Sequence, residues 1–167
     1  MNPAKNRNSQ TGAQAVEFAL VLPFLILIIF AVFDFGILVY NKAIITNASR
    51  EGARQGIVLS AATWNPDTIK QAACNYAKSA VITVSNGTKT ATCSGTADPV
   101  INVYSGSTAN CPAPSGAATP AFGDPVALTV SYSVSGFTLG SLYSLGTDAN
   151  SIGSAIALTA CTQMVHE

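Results

Sequence analysis

The N-terminal part of the chain contains one long apolar run. No charged or strongly polar residue occurs from Phe18 to Phe33, and if Asp34 is tolerated the run reaches Tyr40, which makes 23 residues. As a helix with a rise of about 1.5 Å per residue, this run would be about 34 Å long. The hydrocarbon core of a membrane is about 30 Å thick. The pattern therefore predicts a transmembrane helix with its apolar core at residues 18–40, and we assign residues 13–40 to this segment.

The segment after the apolar run keeps a helical pattern with mixed polarity. Between Asn41 and Gln55 only Gly52 disfavours a helix, at a cost of about 1 kcal/mol relative to alanine, so we expect the helix to extend through residues 41–57. Small side chains recur along it at Ala43, Ala48, Gly52 and Gly56. Small residues let helices approach closely. This face is expected either to bundle with other helices or to pack on the protein's own sheet.

Residues 58–167 contain shorter periodic segments that predict an α+β domain. Asn65-Pro66-Asp67 has the composition of a helix start, and the apolar spacing after it predicts a helix over Thr68–Ser79. Val126–Val134 alternates apolar with small or hydroxyl residues, as half-buried strands do. Further strands are predicted at Ala80–Val84, Thr88–Ser94, Val100–Tyr104 and Ala155–Val165, with a hairpin at Asn86-Gly87 and a loop over residues 105–125. The expected fold is a transmembrane helix that extends into a small antiparallel sheet domain.

Composition and charge narrow the classes of function. Only 10% of the residues are charged and the formal net charge is zero, which argues against a nucleic-acid binder with a basic surface. The only histidine, His166, lies next to the end of the chain and is expected to be satisfied or solvent-exposed. No phosphate loop, nucleophile elbow or metal-ligand cluster appears. We therefore expect no enzyme, no catalytic residue, no metal or cofactor and no small-molecule substrate.

Four cysteines, Cys74, Cys93, Cys111 and Cys161, all follow the apolar run. An even number on one side of a membrane segment is typical of disulfides in an oxidising compartment. The alternative is four unpaired, buried thiols. Four cysteines can pair in three ways, and we favour Cys93 with Cys111 and Cys74 with Cys161.

The charges that flank the apolar run indicate how it crosses a membrane. The first twelve residues carry Lys5 and Arg7 and no acid, so the positive-inside tendency puts the N-terminus in the cytoplasm. Basic residues on the far side weaken that argument, but the cysteines independently put residues 58–167 outside. The run is longer than the apolar core of a secretory signal, and no small-x-small cleavage site ends it. A retained anchor in the inner membrane is the better interpretation.

The residues at the start of the run carry a family resemblance. Gly12 is followed five residues later by Glu17 and then by the apolar helix, which resembles a type IV prepilin cleavage signal. More closely, GAQAVEFALVLP with FDFGILVYNKAIITNASREGAR is similar to the TadE-like family, pseudopilins of tight-adherence (Flp) pili. The resemblance is strong over residues 11–56. It implies that a prepilin peptidase cuts after Gly12, which makes Ala13 the mature N-terminus and residues 1–12 a cytoplasmic leader.

The resemblance also implies a role for Glu17. A carboxylate inside a membrane is costly unless it is paired, and the free amine of a neighbouring Ala13 is a natural partner. Alternatively, Glu17 and Asp34 lie 17 residues apart, about 26 Å along a helix, so both could sit at opposite membrane interfaces without partners. Asp34 remains a second candidate intramembrane acid.

The function implied by the resemblance is that of a minor pseudopilin in pilus biogenesis and surface adherence. Its expected partners are the lipid bilayer, the prepilin peptidase, other pilin or pseudopilin subunits and the inner-membrane assembly platform. The alternative is a single-pass anchored domain that binds a partner outside the cytoplasm without entering a filament. Processing after Gly12 separates the two.

Overall fold

A single long helix carries both the apolar run and the segment that follows it. The computed structural model describes residues 8–59, 62–82, 99–106, 111, 116–134 and 156–166. Helix α1 (Asn8–Val58) is 51 residues long and includes Pro23. By length and composition it is the one helix of the described residues that can cross a membrane, and none of its most apolar stretch is buried. It is a candidate membrane anchor.

The second helix begins where the cap signal predicts. Helix α2 (Pro66–Ala80) starts with proline at its first position, and the Asn65 side chain accepts a hydrogen bond from the Asp67 backbone N–H at 2.9 Å. This cap satisfies one of the amides that a helix start leaves without a partner. Ile69, Ala73 and Ala77 are fully buried at a spacing of four residues, so α2 presents one apolar face, as expected.

The sheet confirms three of the predicted strands. It contains β1 (Val100–Ser105), β2 (Gly116–Ala117), β3 (Pro125–Val134) and β4 (Ile156–Val165), in the order β2-β1-β3-β4. The pairs β1–β3 and β3–β4 are antiparallel. The short edge strand β2 pairs parallel to β1, within a segment that the sequence predicted to be loop. The α+β class with a candidate membrane helix is confirmed.

The remaining strand predictions have different outcomes. The strand at Ala80–Val84 is wrong at its start, because α2 continues through Ala80 and residues 81 and 82 lie in no strand. The rest of that segment, the strand at Thr88–Ser94 and the hairpin at Asn86-Gly87 lie outside the described residues.

Strand β3 is more deeply buried than alternation predicts. All five residues from Val126 to Val130 are buried, so both faces of this half of the strand are covered. The reason is its central position: Ala127 lies between Tyr104 on β1 and Gln163 on β4, and Tyr104 packs against it. Large side chains on neighbouring strands shield a small one between them.

Both helices pack on the same face of the sheet. Helix α1 contacts β3 and β4, while α2 contacts α1 and β1. Gly52 and Gly56 of α1 lie against Ala73 and Ile69 of α2, respectively, so the two helices run antiparallel. The core between the layers combines Ile45, Leu128 and Val130 with the small residues of both helices.

The row of small residues on α1 is occupied inside the protein itself. A Cβ placed on Gly52 would lie 2.5 Å from Leu128 Cδ2 and 2.9 Å from Ala73 Cβ. Ala48 and Gly56 are also buried, whereas Ala43 is exposed. The interpretation that this face packs on the protein's own sheet is therefore correct for three of the four residues.

Candidate functional site

The processing and assembly candidates lie on the exposed end of α1. Gly12, Ala13 and Glu17 are all helical and exposed, as is every residue from 12 to 30. A Cβ on Gly12 would have no neighbouring atom within 4 Å. These residues are brought together by local helix geometry alone, with Glu17 about 6 Å beyond Ala13 along the axis. Their roles in cleavage and assembly remain predictions.

Pro23 lies within this exposed segment. Proline lacks a backbone N–H, so the carbonyl of Ala19 loses its usual helical partner. In water this costs about 3 kcal/mol, whereas in a membrane neighbouring groups and local adjustment satisfy the freed carbonyl. The helix nevertheless continues through Pro23 to Val58.

Asp34 differs from Glu17 in its surroundings. Its exposed fraction is only 6%, although the residues on either side of it are exposed. It is the first residue of a stripe with alternating steps of four and three, which includes the buried Asn41, Ile45, Ala48 and Gly52. That spacing describes one helix face. Asp34 therefore marks where the outer domain begins to cover α1.

The stripe contains a residue whose side chain hydrogen-bonds to the backbone just beyond α2, and the sequence analysis missed it. The Asn41 side chain is fully buried, donates from Nδ2 to the Ile82 carbonyl at 2.8 Å and accepts from the Ile82 N–H at 2.9 Å. The amide thus satisfies both backbone groups of a residue just beyond α2, where no helix or strand does so. An asparagine between apolar residues in a helix, where its propensity is poor, is the signal that could have identified it.

Three further sets of hydrogen bonds hold together α1 and β4, or the residues just after them. The Lys42 ammonium donates to the Thr159 carbonyl. Ser49 Oγ donates to the Thr46 carbonyl at 2.8 Å and lies 2.7 Å from Thr162 Oγ1, whose hydroxyl is then the donor in that pair. The third set is formed by His166.

His166 lies at the end of β4 and is buried. The expectation that it is solvent-exposed is therefore wrong, and the expectation that it is satisfied by hydrogen bonds holds for one of its two ring nitrogens. Nε2 donates to the Leu59 carbonyl at 2.7 Å, and the ring meets Trp64 edge-on with centroids 6.4 Å apart. Nδ1 is buried without a hydrogen-bond partner in the described part of the chain. Its backbone also bonds with Gly123 and Asp124. The cluster fastens the last strand to the far end of α1.

The favoured pairing of the cysteines is wrong. Cys111 is bonded to Cys161, with their Cα atoms 5.7 Å apart. Cys74 is also disulfide-bonded, no described cysteine is free, and Cys93 lies outside the described residues. The reason is strand alternation: Ala160 faces the helices in the core, so its neighbour Cys161 faces away from α2 and cannot reach Cys74, which is buried against the helices.

Among the residues that the structure describes, no three or more His, Cys, Asp or Glu residues gather in a way that could hold a metal ion.

Comparison with known protein families gives a match that lies on the long helix α1. Residues 12–54 match the family model described as TadE-like protein. That range runs from the exposed glycine through Glu17 and Asp34 to the part of α1 packed in the core. No curated protein and no solved structure matches the chain. The resemblance to the TadE-like family that the sequence predicts is thus confirmed over residues 12–54.

Proposed function

We propose that this protein is a minor pilin-like component of a tight-adherence pilus, anchored in the inner membrane and processed by a prepilin peptidase. The observation that carries the proposal is the division of α1. From residue 12 to residue 33 no residue is buried, and from Asp34 onward one face is built into a domain. The exposed part measures about 33 Å, close to the hydrocarbon thickness of about 30 Å. The match of residues 12–54 to the TadE-like family supports a role of this anchor in a pilus system.

The proposed orientation places the N-terminus in the cytoplasm and the sheet domain outside. Lys5 and Arg7 favour that direction. The Cys111–Cys161 disulfide supports it, because disulfides persist in oxidising compartments and are rare in the cytosol. The role we propose is structural, as for the family, and the domain serves to present a surface at the outer face of the membrane.

Processing is proposed between Gly12 and Ala13. Gly12 lies close to the first residue of α1, and helix ends open at little cost. An opened glycine has no side chain to obstruct a peptidase groove. Cleavage would remove Lys5 and Arg7 and leave the Ala13 amine one helical turn from Glu17.

Intact-mass measurement tests the processing step. We expect the protein from peptidase-competent cells to lack residues 1–12, and the protein from peptidase-deficient cells to retain them. Gly12→Leu should block cleavage, because the side chain obstructs the groove. Gly36→Leu is the matched control, since Gly36 also has no atom within 4 Å of its would-be Cβ, and it should be cleaved normally. A retained leader in competent cells would favour the plain membrane-anchored domain instead.

The proposed role of Glu17 is to neutralise the Ala13 amine of an adjacent subunit within the membrane. Glu17→Gln removes the charge and leaves that amine without its counterion in a low-dielectric environment. We expect a variant that is cleaved after Gly12 and stays in the membrane but does not support pilus assembly. Glu51→Gln, at an exposed position of the packed half of α1, should assemble normally. Normal piliation in the Glu17→Gln strain would contradict this role.

A further inference from the structure

An open apolar groove lies at the base of the domain, between α1 and the start of β4. Its volume is about 400 Å³, within the range of about 300–1,000 Å³ that is typical of sites for small ligands. The walls are formed by Leu38 and Val39 from the helix and Ile156 and Leu158 from the strand, with Lys42 at the rim.

The hydrogen bonds between α1 and β4 show which residues of the strand lie level with which residues of the helix, and so where the groove lies along the helix axis. Lys42 meets Thr159, and Ser49 meets Thr162. Seven helical residues advance about 10 Å and three strand residues also advance about 10 Å, so the helix and the strand run side by side in the same direction. If the same ratio is continued towards the N-terminus of α1, Ile156 lies level with helix residue 35.

That height coincides with the edge of the hydrocarbon core proposed above. If the core ends near Phe33, Ile156 lies about 3 Å beyond it and Lys42 about 14 Å beyond it. Each headgroup layer is about 5–8 Å thick, so Ile156 lies within that layer, whereas the Lys42 ammonium, which meets Thr159, lies about 6 Å above it. The groove thus opens where the bilayer surface lies.

The chemistry of the groove fits a membrane phospholipid. Val39 and Ile156 are 53% and 43% exposed. Val39 lies one helical turn above the exposed Phe35, so apolar surface continues from the anchor to the groove on that face, beside the buried Asp34. Lys42, whose ammonium donates to the Thr159 carbonyl, supplies a cation at the upper end of the groove, just above the headgroup layer. Tyr40, also partly exposed, is of the type that is enriched at membrane interfaces.

We propose that this groove is a binding site for one phospholipid of the outer leaflet, with an acyl chain against Ile156 and Leu158 and the phosphate at Lys42. The inference rests on the membrane anchoring described under the proposed function, but not on processing or on pilus assembly. Binding a lipid there seats the domain upright on the bilayer and covers apolar side chains that water would otherwise contact.

Tryptophan fluorescence can locate the lipid, because the chain has a single tryptophan. Trp64 packs near Gly56, about 35 Å beyond Phe33 along α1, so brominated phospholipid should not quench it in the wild-type chain. In a Trp64→Phe background, Ile156→Trp places the probe in the groove. Phe35→Trp is the matched control, because Phe35 lies at the same height and is exposed but does not line the groove.

The titration is performed on the full chain in detergent micelles, with brominated phosphatidylglycerol. We expect the probe at position 156 to be quenched with saturation near one lipid per protein. The probe at position 35 should be quenched only in proportion to the lipid content of the micelle. Identical curves for the two probes would overturn the site. Flotation of the same protein with vesicles reports the anchor separately, so failure of the groove is distinguishable from failure of the membrane proposal.

Native mass spectrometry of the chain without an introduced tryptophan gives a second measurement. We expect one phosphatidylglycerol adduct, and about fivefold weaker retention in Lys42→Gln, the change expected for one lysine at an anionic surface. Lys70→Gln on α2 is the matched control and should retain the lipid. Absence of the adduct would overturn the site, and equal retention of a diacylglycerol without phosphate would overturn the role of Lys42.

Discussion

The two halves of helix α1 differ in the side chains that they expose and bury. From residue 18 to residue 33 it carries apolar side chains around its whole circumference, and almost all are exposed. From residue 34 to residue 58 only one face is buried, and most of the residues on it are small or polar: Asn41, Ala48, Ser49, Gly52, Ala53 and Gly56.

This difference teaches what each environment requires. A bilayer surrounds a helix with hydrocarbon, so every side chain must be apolar but none must fit a particular neighbour. A folded core is packed to the density of an organic crystal, so the residues on the buried face must match the shapes of α2 and β3. The first half of α1 should therefore tolerate changes of size that the second half does not.

The largest expected difference comes from truncating one isoleucine in each half. Ile45 is fully buried in the core, whereas Ile28 is exposed. Ile45→Ala should lower the free energy of unfolding of the domain by about 3 kcal/mol, through lost burial and the cavity that remains. Ile28→Ala should leave it unchanged. Urea unfolding in detergent, followed by the fluorescence of Trp64, measures both, and equal effects would remove the distinction between the halves.

A smaller effect is expected where the helix contributes a polar group to the core. Asn41→Ala leaves the N–H and the carbonyl of Ile82 without their partner, and an unsatisfied buried group typically costs about 1–3 kcal/mol. We expect a loss of about 2 kcal/mol in the same unfolding measurement. Asn47→Ala is the control, because Asn47 is exposed on the same helix. A stable Asn41→Ala variant would show that water replaces the amide.

The smallest expected effect separates packing from helix propensity. Alanine in place of glycine favours a helix by about 1 kcal/mol, but a methyl group at Gly52 collides with Leu128 and Ala73. Since overpacking typically costs about 1–3 kcal/mol, Gly52→Ala should lower the free energy of unfolding by about 1 kcal/mol. Gly36→Ala meets no atom within 4 Å and should not destabilise the domain. A more stable Gly52→Ala variant would mean that α2 moves aside easily.

Local signals were sufficient for the elements whose residues act through their nearest neighbours. The cap at Asn65, the apolar spacing of α2 and the strands β3 and β4 are each encoded within a few residues, and each was predicted correctly. The motif at Gly12 and Glu17 is equally local, which is why the family resemblance could be stated from it and was confirmed over residues 12–54.

The features that were missed depend on which face of one element meets another. Cys161 bonds to Cys111 because of its direction on β4, and its position in the sequence does not reveal which elements lie on either side of the sheet. Asn41 matters only because the backbone of Ile82, just beyond α2, lies beside it. His166 is buried because Leu59 and Trp64 meet it at the end of α1. Each of these depends on tertiary contacts between residues far apart in the chain.

The parallel course of α1 and β4 has a mechanical consequence. The two elements are joined by Lys42 with Thr159 and by Ser49 with Thr162, and Leu59 with His166 joins the residues just beyond them. A tensile load that enters through the membrane end of α1 is directed along both elements at once. Such a load shears the three connections at the same time. A load perpendicular to the two elements would instead break the connections one after another, starting from one end.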